Sequence, residues 1–193
     1  MDFAPPTGPA EWLAFLRAYS TEFMASSYFA SLEEEGRGDF CVDAAQRAAG
    51  WLGYAPASPA DVASVEQRLG VALPPSYHDF LLTTDGFSTI SYACELLPTK
   101  DIGWFRDLEA ELLSWWCTPD MDHFADQADI LRRCLLISSD DGGAGHYLML
   151  DPGDTAEDGE WRAYEWYPGD GSDPEPYDNF AVLVTSLWEQ AED

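Results

Sequence analysis

Trp12, Leu16, Tyr19 and Phe23 recur near helical spacing between Pro9 and Leu32, which predicts one helix with Pro9 in its first turn. The acidic run Glu33-Glu34-Glu35-Gly36 ends it, and a second helix is expected between Asp43 and Leu52, before Gly53. Ser58-Pro59-Ala60-Asp61 is a helix start, with Ser as N-cap, Pro in the first position and Asp three residues after the cap. Val62, Val65 and Leu69 share one face, and Gly70 can take the left-handed C-terminal position. The corner Leu73-Pro74-Pro75 restarts a helix in which Tyr77, Phe80, Leu81 and Thr84 recur at i, i+3, i+4 and i+7, and Asp85-Gly86 closes it.

The pattern then changes period. Ser88 to Leu97 reads as a strand region bounded by Gly86 and Pro98. Phe105, Leu108, Leu112 and Trp115 or Trp116 mark another helix, stopped by Thr118-Pro119. Two short apolar runs, Cys134 to Ser138 and His146 to Asp151, read as strands joined by a glycine turn, with Asp140 to His146 as the hairpin tip. Trp161 to Tyr167 is a further strand, and a last helix, capped by Asp178, carries Phe180, Leu183 and Leu187 on one stripe widened by Val184 and Trp188. Helices followed mainly by strands and a closing helix make an α+β pattern without internal repeats.

Composition adds a strong constraint. With 46% hydrophobic residues in 193, the chain can bury a core, while 36 Asp and Glu against 9 Lys and Arg give a formal net charge of -27. Nucleic-acid binding through phosphate neutralisation needs a basic face, and anionic membranes would repel this chain. Basic proteins, cations or salt are the expected partners of such a surface. The N-terminus lacks a basic start followed by an apolar stretch, so a cytoplasmic location is expected. Cys41, Cys94, Cys117 and Cys134 are far apart, form no CxxC pair and are expected as reduced core residues.

The stretch SPADVASVEQRLGVALPPSYHDFLLTTDGF, residues 58 to 87, resembles the opening signature of the SUKH superfamily, which includes the fungal Smi/Knr cell-wall regulators and many bacterial immunity proteins. The matching residues are Glu66, Leu69-Gly70, Leu73-Pro74, Tyr77, Phe80-Leu81 and Asp85-Gly86, with Asp85 where the family usually has Asn. ISSDDGGAGHYLMLD is similar to the family's glycine hairpin, and NFAVLVTSLWE to its closing helix. The resemblance implies a SUKH-like α+β domain over 55–193, with a mostly antiparallel central sheet packed by helices and a helical N-terminal extension over 1–54. It also implies a non-enzymatic domain that binds another protein. In bacteria that protein is a cognate toxin, often a nuclease domain of a polymorphic or contact-dependent toxin; in the fungal branch the role is regulatory.

The glycine turn lacks the Lys and Ser or Thr of a phosphate loop, and Asp140 and Asp141 would repel phosphate. Asp140, Asp141, His146 and Asp151 do not have calcium-loop spacing, and no paired-His motif is present, so no metal or cofactor is expected. Glycoside hydrolysis needs two carboxylates beside aromatic platforms; acids and Trp are abundant, but no constellation stands out. No catalytic residue is assigned.

From Asp140 to Asp193 there are fifteen acids against Arg162 alone among Lys and Arg, interleaved with Trp161, Tyr164, Trp166, Tyr167 and Tyr177. Aromatic anchors in an acidic field suit a basic partner, which points to Asp140, Asp141, Glu165, Trp166, Asp170, Asp173 and Glu175 as contact residues of a monomeric binder. The competing reading places these aromatics on the core faces of the strand, and alternation allows both.

Overall fold

The computed structural model describes residues 4–90, 94–117, 125–140, 145–170 and 172–191. The chain forms an α+β body in which a helical layer lies on each side of antiparallel β-structure. At the N-terminus the expected single helix is two, α1 (Pro9–Ala25) and α2 (Ser27–Glu34), because Ser26 adopts an extended conformation and its hydroxyl accepts from Phe29 N at 3.1 Å. Short helices α3 (Gly38–Cys41) and α4 (Ala44–Ala49) follow. Asp43 and Gln46 form a reciprocal capping box at the start of α4, and Gly50 closes it at φ 59°.

The next two helices follow the sequence closely. In α5 (Pro59–Leu69) Ser58 and Asp61 form the capping box, Gly70 ends the helix at φ 75°, and Val62, Val65 and Leu69 are buried. Glu66 leaves the far end of that helix to accept Leu73 N at 2.8 Å, tying down the Leu73-Pro74 corner that begins α6 (Pro75–Thr83). Asp85 accepts the backbone N–H and the hydroxyl of Thr99 at 2.7 and 3.2 Å, one on each carboxylate oxygen. Gly86 follows at φ 93°, and a Cβ there would stand 2.8 Å from Leu96 O and 3.0 Å from Pro98 N. The helix ends at the extended C-cap Thr84, and the Asp-Gly pair that follows lets two backbone segments meet.

The expected strand over 88–97 is a hairpin, β1 (Phe87–Ile90) and β2 (Cys94–Leu96), followed by β3 (Gly103–Trp104). Helices α7 (Phe105–Leu108) and α8 (Ala110–Trp116) replace a single predicted helix, and α9 (Ala125–Arg133) has no counterpart in the expectation. Strands β4 (Leu135–Leu136), β5 (Ser138–Asp140), β6 (Tyr147–Thr155), β7 (Trp161–Trp166) and β8 (Glu175–Tyr177) lead to α10 (Phe180–Ala191). The cap of α10 is Asn179, whose side chain accepts Val182 N at 2.9 Å; Asp178, expected in that role, instead accepts Arg162 at 2.7 Å.

The strands form two sheets, ordered β1-β2-β5 and β3-β4-β6-β7-β8, all paired antiparallel. Ile137 is the hinge between them: its N–H donates to Leu148 O and its carbonyl accepts Leu97 N, at 3.1 and 2.8 Å. The predicted hairpin is therefore present as β4 against β6, but its first arm crosses at Ile137 to pair with β2.

The larger core lies on one face of the five-stranded sheet. Trp12 of α1 packs on Phe80 and Phe180 with ring centroids 5.5 and 5.3 Å away, Phe15 meets Trp188, and Tyr19 meets Phe87. The N-terminal helix is thus part of the same core as α6, β1 and α10, with Leu52 N donating to the buried Ser20 hydroxyl at 3.2 Å. On the opposite face, Phe105, Leu113, Leu131, Leu136, Met149, Tyr164 and Trp166 form a smaller core under α7, α8 and α9. Cys94 and Cys134 are buried and Cys41 is half-buried, but Cys117 is exposed, with Sγ 2.9 Å from the Arg132 guanidinium, which corrects the expectation of four core thiols. No helix among the described residues is long and apolar enough to cross a membrane.

Candidate protein-binding surface

The residues expected at a contact surface divide by strand geometry. Strand β7 is sandwiched between the two cores, so Trp161 and Ala163 enter the larger and Tyr164 and Trp166 the smaller. Trp166 is 1% exposed, packs edge-on to Trp116 at 5.2 Å and donates its indole N–H to Ser172 O at 3.0 Å. Glu165, 4% exposed, is likewise interior. Both residues are structural, because β7 is covered on both faces where they lie. Asp173 and Glu175 are exposed, and Glu175 lies on β8, the edge of the five-stranded sheet. Asp141 lies outside the described residues, as do the side chains of Asp140 and Asp170.

Glu165 is the centre of a buried polar network. His146 Nε2 stands 2.8 Å from Oε1, and the hydroxyls of Tyr167 and Tyr177 donate to the two oxygens at 3.1 and 3.0 Å. The His146 ring stacks on Tyr167 with centroids 4.2 Å apart. Burial opposes ionisation of Glu165, yet the hydrogen bond and attraction of His146, with the two tyrosine hydroxyls, hold its carboxyl below the usual range. The network joins the chain entering β6 to β7 and β8.

Asp151 is the other fully enclosed acid among the described residues, and Arg133 of α9 reaches it through Nε and Nη2 at 2.8 and 2.7 Å. Gly153 makes this possible. A Cβ there would lie 2.9 Å from Arg133 Cδ, and its N–H donates to Asp151 at 2.8 Å. His146 and Asp151 are thus committed to separate internal pairs.

All nine Lys and Arg are engaged by the chain itself. Arg37, Arg47, Lys100, Arg132, Arg133 and Arg162 pair with carboxylates. Arg68 donates to Ile102 O and Thr99 O, Arg17 covers the Trp51 ring, and Arg106 covers Trp104. With 36 acids against these nine cations, exposed acids such as Asp61, Asp107, Glu111, Asp126, Glu157 and Glu175 leave a surplus of negative charge at the surface. Such a surface attracts cationic partners over distances set by salt.

A cleft of about 450 Å³ opens beside the smaller core, between the Leu97–Glu109 segment and strands β4 to β6. Leu97, Leu108, Leu136 and Tyr147 give it apolar walls, and Asp101, Glu109, Ser138 and Ser139 give it polar ones. Leu108 is 48% exposed at its edge. Partial burial pushes the Glu109 carboxyl up, against the lowering effect of a hydrogen bond from Tyr147. Sequence reasoning missed this site, because its acids and its walls come from segments that periodicity treats separately.

The chain is thus a layered α+β domain with a heavily acidic exterior and its buried carboxylates committed internally. The family model described as SMI1 / KNR4 family (SUKH-1) matches residues 56–186, more than half of the chain, and the protein belongs to that family. A comparison with curated proteins finds no match.

Proposed function

We infer that the protein is an immunity protein that binds and neutralises a cognate polymorphic or contact-dependent toxin in the cytoplasm, by covering the basic nucleic-acid surface of a nuclease domain. The observation that carries this reading is the surplus negative surface on a SUKH-family fold, with every lysine and arginine already engaged within the chain. An acidic inhibitor can occupy the place that phosphates take in a nuclease, and such a role needs binding without catalysis. In keeping with a binding role, the two enclosed carboxylates, Asp151 and Glu165, are held by Arg133 and by His146 with two tyrosines rather than facing a substrate. The exposed Asp173 and the exposed Glu175 of edge strand β8, together with Asp140, Asp141 and Asp170, are the contact acids of this reading.

Co-expression with a neighbouring toxin gene is the direct test. Growth rescue together with a stable one-to-one complex is expected. Absence of rescue, with no complex recovered, would overturn the reading, and turnover of a glycoside without rescue would favour an enzyme.

A further inference from the structure

The cleft beside the smaller core combines three properties that point to one kind of occupant. Its volume of about 450 Å³ lies within the ~300–1,000 Å³ of concave binding sites. Its walls offer Leu108, Leu136 and the ring of Tyr147 next to two carboxylates, Asp101 and Glu109. No lysine or arginine is among its lining residues; neighbouring Lys100 is exposed and pairs with Asp101 at 3.6 Å. A cleft that combines apolar walls with carboxylates is complementary to a side chain with an aliphatic stem and a cationic head.

Glu109 differs from the acids of the open surface. It is partly withdrawn from water and is held by a neutral donor, the Tyr147 hydroxyl. A carboxylate in that setting gains more from an incoming cation than a solvated one, because the effective dielectric around it is lower. Arginine fits better than lysine: its planar guanidinium can engage a carboxylate through two donors and lie against an aromatic ring, and it sheds water more readily.

We propose that this cleft is a socket for an arginine-bearing loop of the basic partner, with the guanidinium on Glu109 and Asp101 and its stem along Leu108, Leu136 and Tyr147. The proposal rests on the reading of the protein as a binder of a basic protein and adds where a single anchor side chain would seat. The surrounding acidic surface then speeds encounter, and the socket sets residence time.

The test is an NMR titration of the full chain with a blocked Gly-Gly-Arg-Gly-Gly peptide and its citrulline counterpart. Saturable shifts are expected at the backbone amides of Leu108, Glu109, Ser139 and Gly145, at least about tenfold weaker with citrulline. Glu109→Gln, which keeps an acceptor for Tyr147, should weaken the arginine peptide about tenfold, and Asp101→Asn by a smaller factor. Glu157→Gln, on an exposed turn, should leave it unchanged, and the spectra themselves report whether each variant is folded. Shifts spread evenly over the acidic surface, insensitivity to Glu109→Gln, or no saturable shift would each overturn the socket. A flat titration with toxin rescue intact removes the socket alone; lost rescue with an unaltered titration counts against the immunity reading alone.

Discussion

Glu160 caps a helix from 84 residues beyond the residue it holds: its Oε1 accepts the backbone N–H of Ser76, the second residue of α6, at 2.8 Å and its Oε2 the Ser76 hydroxyl at 2.7 Å. Helix α6 needs this help because Pro74 stands at its N-cap position and offers no capping side chain. The carboxylate fills the gap and also faces the positive end of the helix. Glu160→Ala should therefore cost about 1–2 kcal/mol, comparable with loss of a local N-cap. Urea denaturation would show a lower midpoint with an unchanged slope.

The Glu165 network predicts a specific acid response. A carboxyl held below its ordinary value stabilises the fold above its unfolded-state pKa, about 4.3, and that contribution is lost as pH falls through the lower folded-state value. Wild-type stability should fall below about pH 4 partly for this reason. Glu165→Gln should be less stable at pH 7 by about 1–3 kcal/mol and show a shallower loss on acidification. Denaturation midpoints at pH 7 and pH 3 check both signs; an equally steep loss in the variant would exclude Glu165 as its source.

Trp12 tests how far the N-terminal helix belongs to the domain. Its ring is fully buried against Phe80 and Phe180, on the other side of the start of the family match. Trp12→Ala should destabilise the whole chain by about 3–5 kcal/mol in one cooperative transition. Two separate transitions, with the later one at the wild-type position, would show that residues 1–54 unfold apart from the rest.

Gly86 should resist any side chain. With φ at 93° and the backbone of Leu96 and Pro98 within 3.0 Å of an added Cβ, Gly86→Ala is expected to lower stability by about 2 kcal/mol or more. Gly70→Ala, at φ 75° with no atom within 4 Å of the added carbon, should cost less. The difference between the two thermal midpoints separates steric conflict from backbone strain.

The proposed function predicts salt-sensitive association. Asp173→Lys combined with Glu175→Lys should slow binding of the cognate toxin about tenfold or more at low salt, with a smaller effect on dissociation. Stopped-flow rates at two ionic strengths measure this. Equal association rates for wild type at low and high salt would count against electrostatic recognition.

Local rules made much of the helical half legible. Ser58 with Asp61, Gly70, the Leu73-Pro74-Pro75 corner and Asp85-Gly86 act over a few residues, and the structure places each in the backbone state that its chemistry requires. The same rules missed the break at Ser26, since Ser is acceptable inside a helix and a cap only when the chain turns there. They also misassigned the α10 cap to Asp178, one residue before Asn179, because both side chains suit that role and only Arg162 draws Asp178 away.

The sequence by itself determined the charge surplus, the period of each segment and the family signature, because these depend on composition and near neighbours. Tertiary structure decided which acids are surface and which are interior. Glu165 and Asp173 look alike in the chain, but β7 has a core on each face, so Glu165 is enclosed with His146, Tyr167 and Tyr177 while Asp173 remains exposed. Only folding brings Glu109 and Asp101 to one cleft with Leu136 and Tyr147, and Glu160 to Ser76, since those meetings depend on where distant strands and helices pack.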